Sequence, residues 1–357
     1  MLLGFFISWW LCFTPDPVSS LQADKPDNII LVIGDGMGLA AISIAEYLHK
    51  PPSPLQKMKI VGLQKTHSVD NLETDSGAAG TAISCGVKTF NAAIGVGPDS
   101  VPVKTILEMA RDAGYKTGFV VTSSVVHATP AAFYSHTGSR GSYEEIAKQL
   151  SISGIDVFVG GGEKYFYNRS IDQKNLIQSL KESHYEVIQH LDPPGRFKLD
   201  KIPVYKKIAC FTAFEDPSRA TMGRTYLTDL VLQAKKALEA RSTKGYFLMI
   251  EASQIDWAAH ANDQEWLALE LQDAYAMLDQ LQMSIQPDDK TLLIVTADHE
   301  TGYISVKGKR IPRLEFNSKV HSSQMVPVFA EGPGADEFLG IYENTAIFEK
   351  MKFLLGL

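Results

Sequence analysis

Ser76 stands in the run Glu73-Thr74-Asp75-Ser76-Gly77-Ala78-Ala79-Gly80, with an acid before it and small helix-compatible residues after it. The first N–H groups of a helix lack intrahelical partners and the helix dipole is positive there, so a serine at that place can meet phosphate with oriented donors and little bulk. The same pattern is also an ordinary helix start. Other residue types weigh between the two. Asp256 and His260 are four apart, so on a helix they project from one face about a turn apart, as two ligands of one ion must, although a surface Asp/His pair at this spacing is also common by chance. Asp298-His299 ends the apolar run Leu292-Leu293-Ile294-Val295; metal ligation is one reason to tolerate an acid and an imidazole there, a strand-end turn the other. Asp35 lies inside Gly34-Asp35-Gly36-Met37-Gly38, whose spacing is wrong for a dinucleotide loop and whose acid would repel a pyrophosphate. A metal suits that acid better. Arg140, between Ser139 and Gly141, carries the planar fork that matches phosphate, although such arginines are commonly just solvated. On its own context His321 reads as a structural histidine, as do His49, His67, His136, His184 and His190.

Residues so far apart in the chain need a scaffold that gathers them. The apolar, β-branched runs Asn28–Ile33, Thr117–Thr122, Val157–Gly160, Gly245–Ile250, Thr291–Thr296 and Met325–Ala330 read as buried parallel strands. Helical patterns lie between them at Lys104–Ala113, Tyr143–Leu150, Arg224–Arg241 and Asn262–Met283. The alternation predicts an α/β fold, a doubly wound and mostly parallel central sheet with helices on both faces. Ligands of such sheets bind beyond the carboxyl ends of the strands. Asp35, His127 with Thr129, Glu251, and Asp298-His299 each follow a predicted strand, so separate strands would deliver metal ligands to one edge. The polar stretch from about Ile171 to Asp216 reads as an insertion beside the sheet.

With 45% hydrophobic and 21% charged residues in 357, the composition is that of a globular protein and excludes disorder. A net charge of −7 speaks against a nucleic-acid partner. Met1 to Phe13 is apolar but too short to span a bilayer comfortably; with Val18-Ser19-Ser20 after it, residues 1–20 read as a signal peptide and 24–357 as a single catalytic domain. A periplasmic or secreted protein with no stable membrane span is expected. Lipoprotein anchoring through Cys12 is the weaker alternative, because Trp10-Leu11 is a poor lipobox. Cys85 and Cys210 read as free buried thiols.

Taken together and in order, Asp35-Gly36-Met37-Gly38, Thr74-Asp75-Ser76, Thr129-Pro130-Ala131, Ser139-Arg140, Glu251…Asp256…His260 and Thr296-Ala297-Asp298-His299-Glu300 resemble the alkaline phosphatase family, the likeness running from Asn28 to Ala335. The resemblance implies hydrolysis of small phosphate monoesters through a phosphoserine at Ser76, with two zinc ions and one magnesium as cofactors. It implies one zinc held by Asp256, His260 and His321, and a second by Asp35, Asp298, His299 and the Ser76 oxygen. Magnesium would be held by Asp35, Thr129 and Glu251, and two phosphate oxygens by Arg140, with Asp75, His127 and Trp257 adjoining. Three such cations against four carboxylates leave roughly +2 for a phosphate dianion, so the acidity of the chain is no obstacle.

The chain also departs from the pattern of some members. His127 stands where an aspartate is also found, and Trp257 where a lysine is also found. Only Gly302 to Val320 separates Asp298-His299 from His321, where many members carry a larger insertion, so the expected fold lacks a large crown. Homodimers are common in the family; here that state is left open, since any interface built from the insertion would be missing. A sulfatase is disfavoured because neither proline nor arginine follows Ser76 in the required places. A phosphodiesterase of the same superfamily and a catalytically silent metal-binding relative remain as alternatives.

Overall fold

Aliphatic runs without polar alternation bury both faces, and here they assemble one ten-stranded sheet. The computed structural model describes residues 25–167, 169–191, 198–309 and 312–357; the expected signal peptide and Cys12 lie outside the described residues. In chain order the strands are β1 Asn28–Gly34, β2 Ile60–Lys65, β3 Lys116–Ser124, β4 Val157–Gly161, β5 Tyr185–Ile188, β6 Lys207–Phe211 and β7 Tyr246–Ala252. There follow β8 Thr291–Ala297, β9 Glu300–Thr301, β10 Ser305–Lys307, β11 Arg313–Glu315, β12 His321–Ser322, β13 Val326–Glu331 and β14 Gly340–Glu343. The large sheet runs β14-β2-β13-β8-β1-β7-β3-β4-β6-β5.

All but one of its strands point the same way. The sequence reading took Met325–Ala330 as one more parallel strand, but β13 pairs antiparallel with both β8 and β2. A strand buried on both faces carries no mark of its direction, so only the returning chain decides it. The stretch from Ile171 to Asp216 is likewise no simple insertion beside the sheet. It contains β5 and β6, which extend the sheet from β4 to its far edge, Val157 facing Ile208 and Tyr185 facing Lys207.

Side chains of β1 leave alternately for two cores. Ile29, Leu31 and Ile33 join Ile106, Leu107, Ile146 and Leu354 of the helices Ile106–Asp112, Tyr143–Ile152 and Thr345–Leu355. Ile30 and Val32 join the opposite layer, with Leu230, Val231, Leu271 and Leu278 of the helices Leu227–Arg241 and Gln264–Ser284. The expected layering, with helices on both faces, is the one observed. Among the described residues no helix is long and apolar enough to cross a membrane. Cys85 and Cys210 are buried and form no disulfide among the described residues, and burial pushes the Cys85 thiol up to about 12. Between Gly302 and Val320 the described residues form only the small β10–β11 hairpin.

Candidate active site

The central strands carry the site at their carboxyl ends. Asp35 follows β1, Glu251 lies within the end of β7, and Asp298-His299 follow β8. Because β1 pairs with β7 on one side and β8 on the other, Ile33 beside Glu251 and Gly34 beside Ala297, these groups are neighbours by register alone. After β7 the chain turns into the helix Gln254–His260, which places Asp256 and His260 one turn apart as their spacing predicted. His321 comes from β12, paired with Thr301 of β9. Ser76 opens the helix Ser76–Cys85, whose N-cap is Asp75: the Asp75 side chain accepts from Ala78 N at 2.9 Å. The N-cap role that the sequence offered falls to Asp75, which leaves Ser76 as the first residue of the helix.

Three imidazoles are oriented through their Nδ1 atoms. His321 Nδ1 lies 2.7 Å from the Thr74 carbonyl and His260 Nδ1 2.5 Å from the Lys319 carbonyl. A carbonyl can only accept, so each Nδ1 carries a proton; each Nε2 is left to donate to Asp256 when the ring is charged, or to offer a lone pair to an ion when it is neutral. Those two Nε2 atoms face each other at 3.0 Å, with Asp256 oxygens 3.3 Å from His260 and 3.5 Å from His321. For His299 the orienting group is Thr301, which the sequence reading missed. Its hydroxyl donates to Asp256 Oδ1 at 2.5 Å, and so accepts from His299 Nδ1 at 3.2 Å. The bare His299 Nε2 then faces Ser76 Oγ at 3.4 Å, Asp298 Oδ2 at 3.3 Å and Asp35 Oδ1 at 3.5 Å.

Acceptors therefore converge with too few donors. Both oxygens of Asp35, Asp298 Oδ2, Glu251 Oε1, Thr129 Oγ1 and His127 Nδ1 are buried without a hydrogen-bond partner. Leaving such groups bare is costly, and bound cations are the ordinary remedy. The proton affinities tell the same story. Burial, with Asp298, Asp256 and Glu251 beside it, raises Asp35 well above the carboxylate range. Burial also pushes Glu251 up to about 7 and Asp298 up to about 6. Asp256 goes the other way: burial opposes its ionisation, but hydrogen bonds from His260 and His321 hold it well below its usual range.

Three groups of ligand atoms are close enough to share an ion: Asp256, His299 and His321; Asp35, Asp298 and His299; and Asp35, His127 and Glu251. The residues singled out from the sequence are thus gathered into one cluster, Thr129 at the start of the short helix Ala128–Ala131 among them. One shift of emphasis concerns His127. It was taken as an adjoining residue, yet its ring nitrogen reaches the Asp35–Glu251 group. Burial, with Arg140 nearby, pushes it down to about 3, so the imidazole is neutral and able to ligate. Trp257 packs edge-on against it, ring centroids 5.5 Å apart.

An open cleft of about 510 Å³ leads to this cluster, lined by Ser76, His127, Arg140, Trp257, His260 and His321 among others. Arg140 Nη1 donates to Asp75 Oδ2 at 2.8 Å, which leaves the rest of its fork to the cleft. A buried serine beside bare imidazole nitrogens, carboxylates with unmet lone pairs and an arginine fork suit phosphoryl transfer assisted by cations.

Comparison with known proteins agrees. The family model described as alkaline phosphatase matches residues 26–317. Alkaline phosphatase 4 of Bacillus subtilis is 33% identical over 355 residues, covering 93% of this chain and 75% of its own length. The structure of alkaline phosphatase from the Antarctic bacterium TAB5 superposes with a TM-score of 0.89 at 38% identity, covering 94% of this chain and 99% of that one. A TAB5 variant in which aspartate replaces a histidine, with magnesium bound in the M3 site, superposes at 0.88 with 37% identity over the same shares. By a family match across most of its length, and by relatives and structures that share the fold built around this cleft, the chain belongs to the alkaline phosphatase family and is an enzyme that hydrolyses phosphate monoesters.

Proposed function

We propose that this metal-dependent enzyme cleaves phosphate monoesters through a phosphoserine at Ser76, at a site that takes two zinc ions and one magnesium. Asp256, His260 and His321 would hold the first zinc; Asp35, Asp298, His299 and Ser76 Oγ the second; Asp35, Thr129 and Glu251 the magnesium, with His127 close enough to share it. The donor chemistry fits, since imidazole and carboxylate suit zinc and an all-oxygen set suits magnesium. When bound, the ions supply Lewis acidity, favouring deprotonated oxygen near them and offsetting charge on the phosphoryl group.

Ser76 Oγ attacks phosphorus in line with the ester oxygen. As the bond to Ser76 forms, the bond to the leaving oxygen breaks, and an alcohol departs. Water then attacks the same phosphorus, the serine–phosphorus bond breaks, and inorganic phosphate leaves with Ser76 restored. Arg140 holds two equatorial oxygens through both steps, and the ion pair with Asp75 keeps its guanidinium aimed. Helix N–H groups behind Ser76 add fixed positive potential.

The observation that supports this reading is His299 Nε2 facing Ser76 Oγ and the buried Asp35 and Asp298 oxygens that have no hydrogen-bond donor, a gap that a cation would fill. The test is to trap enzyme with a labelled phosphate monoester and map the label. Ser76→Ala should lose most turnover while keeping fold and metal content, since one ligand oxygen leaves. Label on another residue, or full activity of the alanine variant, would remove Ser76 from this role. The same reading makes 24–357 one catalytic domain, carried by residues 1–20 to the periplasm or beyond the cell.

A further inference from the structure

Between the nucleophile and Arg140 lies a segment that belongs to neither and is hydrogen-bonded to the residues just before Ser76 and to Arg140. Asn91 Nδ2 donates to the Glu73 carbonyl at 2.9 Å, and Asn91 Oδ1 accepts from Asp75 N at 3.2 Å. The two bonds straddle Thr74, whose carbonyl orients His321. The next residue, Ala92, is left-handed at φ 70°, a conformation that favours glycine. In that conformation its N–H reaches Asp75 Oδ1 at 3.0 Å, and its carbonyl accepts from Arg140 N at 2.7 Å. Asp75 in turn binds the Arg140 guanidinium through its other oxygen. Arg140 is thus located at both ends, main chain and side chain, by groups that Ala92 touches directly or through Asp75. The segment is also seated tightly: a Cβ on Gly77, one residue after the nucleophile, would stand 3.0 Å from the Ala93 carbonyl.

We propose that Ala92, with Asn91, is a positioning residue for the hydrolysis, setting the Arg140 fork at its distance from Ser76 by virtue of the left-handed backbone. A non-glycine residue held in this region beside an active site marks a place where geometry has been kept at the expense of local ease. The inference rests on the role given to Arg140 above. Ala92 touches no reacting atom; it acts on the backbone of Arg140 and on the carboxylate that orients its fork.

The experiment is a double-mutant cycle on the metal-loaded enzyme, read as kcat/KM for an aryl phosphate monoester and as competitive inhibition by inorganic phosphate. Valine is β-branched and resists the left-handed region, whereas glycine adopts it freely. Ala92→Val should weaken phosphate inhibition and kcat/KM roughly tenfold, and Ala92→Gly should stay within about twofold of the parent. In an Arg140→Ala background Ala92→Val should add no more than about a further twofold, because the group it positions is gone. If Ala92→Val does not fold, Asn91→Ala enters the same cycle and is read the same way. Equal losses for glycine and valine, or a loss that persists undiminished without Arg140, would overturn the proposal. If Arg140→Ala weakens phosphate inhibition but neither Ala92→Val nor Asn91→Ala does, the positioning role alone falls. If Arg140→Ala leaves phosphate inhibition unchanged, the phosphate-binding role of Arg140 falls with it.

Discussion

An imidazole presents one lone pair, and which nitrogen carries it is decided by the other nitrogen's neighbour. At this site two backbone carbonyls and one threonine make that decision, and the threonine is open to mutation. Thr301→Val keeps shape but removes the acceptor for His299 Nδ1 and the donor to Asp256. We expect zinc retention to fall about 10- to 100-fold, measured by competition with a chelator, with the fold intact. Unchanged affinity would mean that Thr301 orients nothing. His127 offers a second test. An aspartate there brings a hard oxygen to the Asp35–Glu251 group in place of a borderline nitrogen, so magnesium titration of His127→Asp should show tighter binding than the parent. Trp257→Lys should strengthen inhibition by inorganic phosphate, because a cation replaces an indole at the cleft; if neither affinity moves, both side chains merely pack beside the site. The clustered carboxylates, His260 and His299 stood out in the sequence because metal chemistry favours a few residue types, whereas His321 read as structural on its own context and came in only through the family resemblance. Thr301, Asn91 and Ala92 were not legible, since each acts through a register or a backbone angle that no residue type announces; Ala92 is an alanine like many others until its φ is known.

Among elements, the loop that presents Arg140 is pinned by His136. Its Nδ1 donates to the Gly95 carbonyl at 2.6 Å, its Nε2 meets Glu108 at 3.3 Å, and the neighbouring Thr137 bridges Ile94. The hydrogen bond to Glu108 raises the His136 pKa, while Glu108, despite partial burial, is lowered by His136. A raised histidine contributes stability below its unfolded value of 6.5, lost as pH climbs through the folded one; a lowered glutamate contributes above 4.5, lost as pH falls. The stability difference between parent and His136→Gln should therefore be largest between those two values and shrink on both sides, as followed by chemical denaturation. A difference independent of pH would show that the pair carries no charge-linked stability. The sequence marked His136 as structural without saying what it held. It located the central strands well, because runs such as Ile29–Ile33 admit no other reading. The edge strand β5 and its neighbour β6 escaped it: they are short, lie among polar residues and turns, and look like loop until β4 pairs with β6 and β6 with β5.

For the molecule as a whole, the proposed ligands come from the ends of β1, β7 and β8, from β12 and from three helices, so bound ions would cross-link the edge where the central strands end. An ion present at about 1,000 times its Kd contributes about 4 kcal/mol. Chelation should abolish activity and lower the unfolding midpoint together, with elemental analysis confirming removal. Full activity in metal-free protein would refute the cofactor assignment. The stripped protein should also show a distinctive pH dependence. Burial raises Asp35, Glu251 and Asp298, so between their unfolded and folded values the native state holds more protons than the unfolded one. Its stability then falls as pH rises from about 4 to about 7, and the gap to the metal-loaded form widens over that interval.

The order of strands in the sheet also has a temporal meaning. Asn28, at the start of the first strand, hydrogen-bonds to Tyr246 and Thr291, 218 and 263 residues further along. A ribosome delivers β1 long before either neighbour, and until β7 and β8 arrive its aliphatic side chains have no sheet to join. Most of the chain must therefore be made before the middle of the molecule can close. An intermediate cut short of residue 291 would keep one side of that strand unpaired and sticky, and the nucleophile, already synthesised, would wait without His299 and His321.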